Sequence, residues 1–134
     1  MGNGDGSFGP STSYSTGDPD SSAVVVGDFN GDGKLDVAVA NANCVLPNPF
    51  DVPVCTTGSV GVLLGNGDGS FQAAVRYSTI DAFAFTLTTG DFNGDGKLDL
   101  AVGNTNCEDF SGPCGTDGSV AILLAKETVY SGRP

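Results

Sequence analysis

Two ten-residue stretches carry the residues with the most definite chemistry: GDFNGDGKLD at Gly27 to Asp36 and, letter for letter, at Gly90 to Asp99. In the first, Asp28, Asn30, Asp32 and Asp36 set oxygen-bearing side chains at positions 1, 3, 5 and 9 of a tight loop. Asp91, Asn93, Asp95 and Asp99 do the same in the second. Hard cations such as calcium take about 6–8 oxygens at about 2.3–2.6 Å, and alternating acidic residues folded around a glycine turn supply them. Gly33 and Gly96 hold position 6, where the backbone must bend and a Cβ is expected to be in the way. Lys34 and Lys97 cannot bind a cation through their side chains, but at position 7 their backbone carbonyls can turn inward. The pattern predicts one calcium ion in each loop, two per chain.

Two rivals bear on that reading. An EF-hand loop needs a bidentate glutamate at position 12 and a helix on each side. Here position 12 is Val39 or Val102, and the flanks at Ala23–Val26 and Leu35–Ala40 are short and β-branched or alternating, which are strand signals. The other rival is a tight turn with no metal, for which Asp, Asn and Gly are the ordinary residues. Three aspartates within nine residues weigh against it, because their charges repel unless a cation lies between them.

The elements that must position these loops are strands. Glycine is abundant, at 21 of 134 residues, and no long helical period appears, so the chain reads as all-β with many turns. Sixteen acidic residues face five basic ones, giving a net charge of −11 with no histidine. Nucleic-acid binding is excluded by the lack of clustered Lys and Arg, and adhesion to anionic membrane is disfavoured for the same reason. Two calcium ions would offset four of those charges, linking fold to metal. No apolar run approaches the roughly 18 residues of a membrane span, so no membrane insertion is expected. Turn sequence follows Met1 where a signal h-region would stand, so an exported protein is expected to carry its signal upstream of this segment.

A fixed offset runs through the chain. GNGDGSF at Gly2 to Phe8 recurs at Gly65 to Phe71, Tyr14 matches Tyr77, and Cys44 matches Cys107, all displaced by 63 residues. Such a period in a β-rich chain means stacked or radial repeats. The first full period reads as strand A at Ser22–Val26, B at Leu35–Ala40, C at Ser59–Leu64 and D at Phe71–Ser78. The second gives A at Phe83–Thr88, B at Leu98–Val102 and C at Ser119–Leu124. Asn66-Gly67-Asp68-Gly69 is a hairpin signal, since Asn and Gly tolerate positive φ. Its single aspartate is too little to replace a hydration shell, so a plain turn is expected there. Phe8, Phe71, Phe29 and Phe92 read as packing residues.

GDFNGDGKLD followed by AVAN, then GSVGVLLGNGDGSF, resembles the FG-GAP or VCBS-type repeat of integrin-like β-propellers. The resemblance covers the chain apart from the cysteine loops and the last ten residues. It implies four-stranded antiparallel blades whose A–B loops bind calcium. Carried over, the ligands are Asp28, Asn30, Asp32, the Lys34 carbonyl and Asp36, then Asp91, Asn93, Asp95, the Lys97 carbonyl and Asp99. Residues 1–16 are expected to be strand D of a blade, 17–79 a blade with strands A to D, and 80–134 a blade with strands A to C and a tail. A closed ring needs more than two blades; this type has roughly six to eight. The chain is therefore expected either to neighbour further blades of a longer protein or to form a homo-oligomer of about three or four copies by strand exchange. In that exchange strand D at Phe8–Ser15 fills the gap left after Leu124. The alternative is a degenerate D strand at Val129–Tyr130 with Gly2–Ser15 loose.

Cys44 and Cys55 bracket a proline-rich B–C loop, and Cys107 and Cys114 bracket the next. Four cysteines allow three pairings, of which one disulfide within each loop is favoured. Zinc is disfavoured by spacing that is not CxxC and by the lack of histidine. Disulfides point to a secreted or extracytoplasmic location, in keeping with extracellular calcium. Alternating strands place the calcium loops and the NGDG turns on one face, with the cystine loops and D–A connections on the other. The cystine loops differ, NCVLPNPFDVPVC being apolar and NCEDFSGPC acidic, so a protein or glycan partner is expected there. Acid–base chemistry could in principle use Glu108, Asp109 or Asp51, but no nucleophile–base pair is visible. A non-catalytic binding or scaffold module is therefore expected. The competing readings are a scaffold segment of a propeller enzyme, such as a polysaccharide lyase, or a lectin.

Overall fold

The computed structural model describes residues 1–46, 48–50, 54–55, 57–79, 83–105 and 117–126. Nine strands follow in order: β1 (Ser21–Gly27), β2 (Asp36–Asn41), β3 (Cys44–Val45), β4 (Val54–Cys55), β5 (Ser59–Leu63), β6 (Val75–Ser78), β7 (Phe83–Gly90), β8 (Asp99–Thr105) and β9 (Ser119–Leu123). They form a four-stranded sheet β1-β2-β5-β6, a three-stranded sheet β7-β8-β9 and a small β3-β4 ribbon, every pairing antiparallel. No described residue is helical. The all-β reading and the A-B-C-D order of the first blade hold, and the second blade shows A, B and C.

The boundaries differ from expectation for local reasons. Strand B begins at Asp36, not Leu35, because Leu35 is exposed in the loop while Asp36 faces Gly27 across the ladder. Strand β8 runs to Thr105, beyond the expected Val102, since β7 and β9 both pair along it. Strand D is shorter than expected: only Val75–Ser78 joins the ladder, and Phe71 makes an isolated bridge to Gly65. Residues 8–15 form no strand; Phe8 bridges Gly2, and the segment pairs with no ladder among the described residues.

The core lies where the two sheets meet. Ala38, Ala40 and Val60 of the first pack with Ala84, Leu87, Leu100 and Val102 of the second, ringed by Ala23, Val25, Phe29, Val62, Ala121 and Leu123. Small residues on one sheet and larger ones on the other let the layers interdigitate. The first strand of each sheet carries a register shift near the start of the repeat, between Ser21 and Ala23 in β1 and between Ala84 and Thr86 in β7. In the first, Ser22 uses the bulge to donate its hydroxyl to the Ala84 carbonyl of the other sheet at 2.7 Å. On the far side of the first sheet the lead-in segment comes down onto β5. A Cβ on Gly61 would lie 2.0 Å from the Thr16 carbonyl oxygen, so no other residue fits.

Candidate metal centre

Each A–B loop is built by its first aspartate. Asp28 Oδ1 accepts the backbone N–H groups of Gly31 at 2.7 Å and Asp32 at 3.1 Å, and its Oδ2 accepts that of Gly33 at 2.8 Å. Asn30 Oδ1 accepts from Asp32 N–H at 3.1 Å, and Asp32 Oδ1 from Lys34 N–H at 2.9 Å. The side chains wrap the chain into successive Asx turns. Asp91 repeats the pattern with Gly94 (2.7 Å), Asp95 (3.0 Å) and Gly96 (2.8 Å), as do Asn93 with Asp95 (3.2 Å) and Asp95 with Lys97 (3.0 Å). The Gly96 N–H foremost, with those of Gly94, Asp95 and Asn93, holds the Asp91 carboxyl below the ordinary carboxylate range against a smaller upward push from burial.

Position 6 needs glycine for only one of the two reasons expected, the backbone bend and not a crowded Cβ. Gly33 and Gly96 have φ of 80° and 82°, yet a Cβ at either would meet nothing within 4 Å. The constraint is the left-handed backbone, not space.

Position 9 behaves unlike the other three. Asp36 and Asp99 are 0 % and 1 % exposed, whereas Asn30, Asp32, Asn93 and Asp95 are open to solvent. Asp36 Oδ2 accepts from Phe29 N–H and Oδ1 from Gly65 N–H, both at 2.9 Å. Asp99 Oδ2 accepts from Phe92 N–H at 2.9 Å and Oδ1 from Ala125 N–H at 2.8 Å. One buried carboxylate thus ties the loop to the end of strand C, a role that the ligand pattern alone did not reveal. The signal for it was available: an acid opening an otherwise apolar strand, twice.

The donor set fits a hard cation. The side-chain ligands that the loops offer are oxygens of Asp and Asn, and an ionised carboxylate has about four lone-pair sites, so even Asp28 and Asp91, whose Oδ1 atoms each accept two N–H groups and Oδ2 atoms one, keep acceptor capacity over. Among the described residues no three Asp, Glu, Cys or His side chains converge to hold an ion by themselves. A full shell here therefore draws on Asn30 and Asn93 and on main-chain carbonyls as well as carboxylates. The sequence-predicted residues Asp28, Asn30, Asp32, Lys34 and Asp36 share one loop, and Asp91, Asn93, Asp95, Lys97 and Asp99 the other. Residues of both loops, Asn30 and Gly31 with Gly96 and Lys97, line a common depression where the sheets meet.

On the opposite face Cys44 and Cys55 are joined by a disulfide and sit opposite each other in the β3-β4 ribbon. Asp20, in the left-handed region at φ 60°, accepts the Cys44 N–H at 3.3 Å and fixes the loop's entry. Val45, Leu46 and Phe50 are exposed there, Phe50 at 99 %. Asp18, with Ser59 donating at 2.6 Å and Arg76 ion-paired to it, braces the same end of the sheet. Burial pushes the Asp18 carboxyl upward, but the Ser59 and Arg76 contacts outweigh it and the net direction is down. Cys107, Cys114, Asp51, Glu108 and Asp109 lie outside the described residues.

The FG-GAP-like repeat model matches residues 1–39 and 50–102, and the FG-GAP repeat model matches residues 83–123. Integrin alpha-PS3 of Drosophila melanogaster is 30 % identical over 116 residues, covering 84 % of this chain. The chain spans 9 % of that protein's length. No solved structure gives a significant match. Among the described residues no helix is long and apolar enough to cross a membrane.

Proposed function

From the premise that the chain belongs to the FG-GAP repeat family and that its sheets are β-propeller blades, we propose a calcium-stabilised, extracytoplasmic, non-catalytic interaction module. Asp28, Asn30, Asp32, the Lys34 carbonyl and Asp36 hold one ion, and Asp91, Asn93, Asp95, the Lys97 carbonyl and Asp99 the other. Calcium, when bound, neutralises the loop carboxylates and locks each A–B hairpin. The observation carrying this reading is the same oxygen-rich loop built twice, with equivalent hydrogen bonds agreeing to about 0.1 Å. The likeness to an integrin alpha and the Cys44–Cys55 disulfide support a location outside the cytoplasm.

The partner surface is the cystine-loop face. Beside the Cys44–Cys55 disulfide, Val45, Leu46 and Phe50 present apolar side chains to solvent, and exposed apolar groups of this kind anchor protein interfaces. With no histidine, and every described cysteine in a disulfide, the ordinary nucleophile–base pairs have no material.

Elemental analysis and thermal melting of the same sample test the metal reading. Two calcium ions per chain after dialysis, falling to one in Asp32→Ala or Asp95→Ala and lost to a chelator with a lower Tm, are expected. A chain free of calcium that melts unchanged would sink it.

A further inference from the structure

The two A–B loops meet at a definite contact. Gly27, the residue before Asp28, is buried, and a Cβ there would lie 2.9 Å from Leu98 Cδ1 and 3.2 Å from the ring of Phe29. Leu98 of the second loop thus reaches across to the root of the first and fills space that a side chain at Gly27 would take. The contact is made in one direction. A Cβ on Gly90 would have as its three nearest atoms only those of its own Phe92 ring. Leu35, which holds Leu98's place in the first loop, is 66 % exposed while Leu98 is half-buried. Phe92 is likewise 49 % exposed, whereas Phe29 packs against the core between the sheets.

The residues in contact are spaced among those assigned to the metal. Leu98 lies between Lys97 and Asp99, Gly27 directly precedes Asp28, and Phe29 lies between Asp28 and Asn30. Phe29 N–H is held by Asp36 Oδ2 at 2.9 Å, so both ends of the first loop bear on the ring that Leu98 adjoins. Asn30 and Gly31 face Gly96 and Lys97 across the depression described above.

We infer that Leu98 couples the two calcium loops, so that an ion in either raises the affinity of the other. This inference rests on the calcium reading above and adds the regulation of its sites. An ion drawing in the Lys97 carbonyl and Asp99 fixes the backbone on both sides of Leu98, and close packing passes that restraint to Gly27 and Phe29. The first loop then has less freedom to lose when its own ion binds. One free energy is shared by both sites, so the effect is equal in the two directions. Charge works the other way. With its ion, the charges of Asp91, Asp95, Asp99 and Lys97 are neutralised, and the same loop emptied by Asp95→Ala is left at −1. By charge alone, emptying the second loop would tighten the first. Screening over about 8 Å at physiological salt weakens that opposition between exposed loops and leaves packing to set the sign.

Calorimetric titration of the full 134-residue chain with calcium chloride at physiological ionic strength tests it. Asp95→Ala leaves the first site alone and Asp32→Ala the second. The product of the two wild-type association constants should exceed the product from these single-site variants by about fivefold or more. In a Leu98→Val background, which withdraws Cδ1 and stays apolar, the same ratio should fall to one or below. Leu98→Met keeps an atom at the δ position and should restore it, and Leu35→Ala should leave it unchanged. A part in stability alone would lower the Tm of Leu98→Val without moving the ratio. In Asp32→Ala, calcium should also slow hydrogen exchange at Gly31 and Gly33 although their own loop is empty, and adding Leu98→Val should abolish that slowing. A wild-type ratio of one or below overturns the inference, and that measurement needs no Leu98 variant to fold. A ratio that Leu98→Val leaves intact overturns it as well. A chain that binds no calcium overturns the metal reading beneath it.

Discussion

The two blades share an A–B loop to within about 0.1 Å in its hydrogen bonds yet differ in how their buried polar groups are met. In the first, the Asn41 carboxamide donates to the Thr16 carbonyl at 3.2 Å and accepts from the Ser21 hydroxyl at 3.0 Å. Thr16 Oγ1 also meets the Ser21 hydroxyl, at 3.1 Å. One repeat later the corresponding residues are Asn104, Thr79 and, in place of Ser21, Ala84. Asn104 Oδ1 and Thr79 Oγ1 are buried there without a partner. The missing hydroxyl removes the donor that the Asn41 carbonyl oxygen has and one of the two contacts that Thr16 Oγ1 has, the other being to the Asp18 carbonyl at 3.0 Å. The repeat thus copies its A–B loop faithfully and its polar core loosely, as expected if the loop answers to charge and geometry and the core only to total stability.

Removing the shared feature should have the largest effect. Asp36→Ala leaves the part-buried Phe29 and the buried Gly65 N–H groups unpaired and should cost about 2–5 kcal/mol by denaturant unfolding. Asp99→Ala should cost a similar amount through Phe92 and Ala125, and a large disparity between the two would break the equivalence of the loops. Next comes the staple: Cys44→Ser with Cys55→Ser should cost about 2–3 kcal/mol by the same measurement, on loop-entropy grounds. Smaller, and aimed at the difference itself, Ala84→Ser should stabilise by about 1 kcal/mol while Ser21→Ala destabilises by about as much, read as opposite shifts in Tm. If both substitutions were neutral, the single-hydroxyl explanation would fail.

The smallest expected effect is on acid stability. The folded Asp18 carboxyl lies below its ordinary value, so its contribution is full above the unfolded pKa and is lost as pH falls through the lowered folded one. Asp18→Asn should therefore flatten the acid limb of a stability–pH curve near and below pH 3.8 and leave its neutral part parallel to the wild type.

Much of this was legible before any coordinates. The loops declare themselves because ligand spacing, turn residues and strand onset are all local, and the β-branched runs around them name their strands. What escaped was set by neighbours distant in sequence. Phe71–Ala74 read as strand but lies outside the ladder, and the β3-β4 ribbon hides within a proline-rich loop. Asp36 looked like one ligand among several because its N–H donor from Gly65 lies 29 residues away. Of the two reasons expected for glycine at position 6, the backbone bend holds and the crowded Cβ does not, since an empty volume around Gly33 cannot be inferred from a spacing. The Ser21 to Ala84 change was visible as a letter, but its meaning needed Thr16 and Asn41 in place.

Gly61 has one more consequence. Where the lead-in chain meets β5, main chain rests on main chain with nothing interposed, so the separation there is fixed by covalent dimensions and cannot be retuned by exchanging one side chain for another. A library of variants would find that position nearly barren although it carries no charge, no ligand and no catalytic group. Any redesign of how the blades fan out should begin elsewhere, at joints where a methyl can be added or taken away.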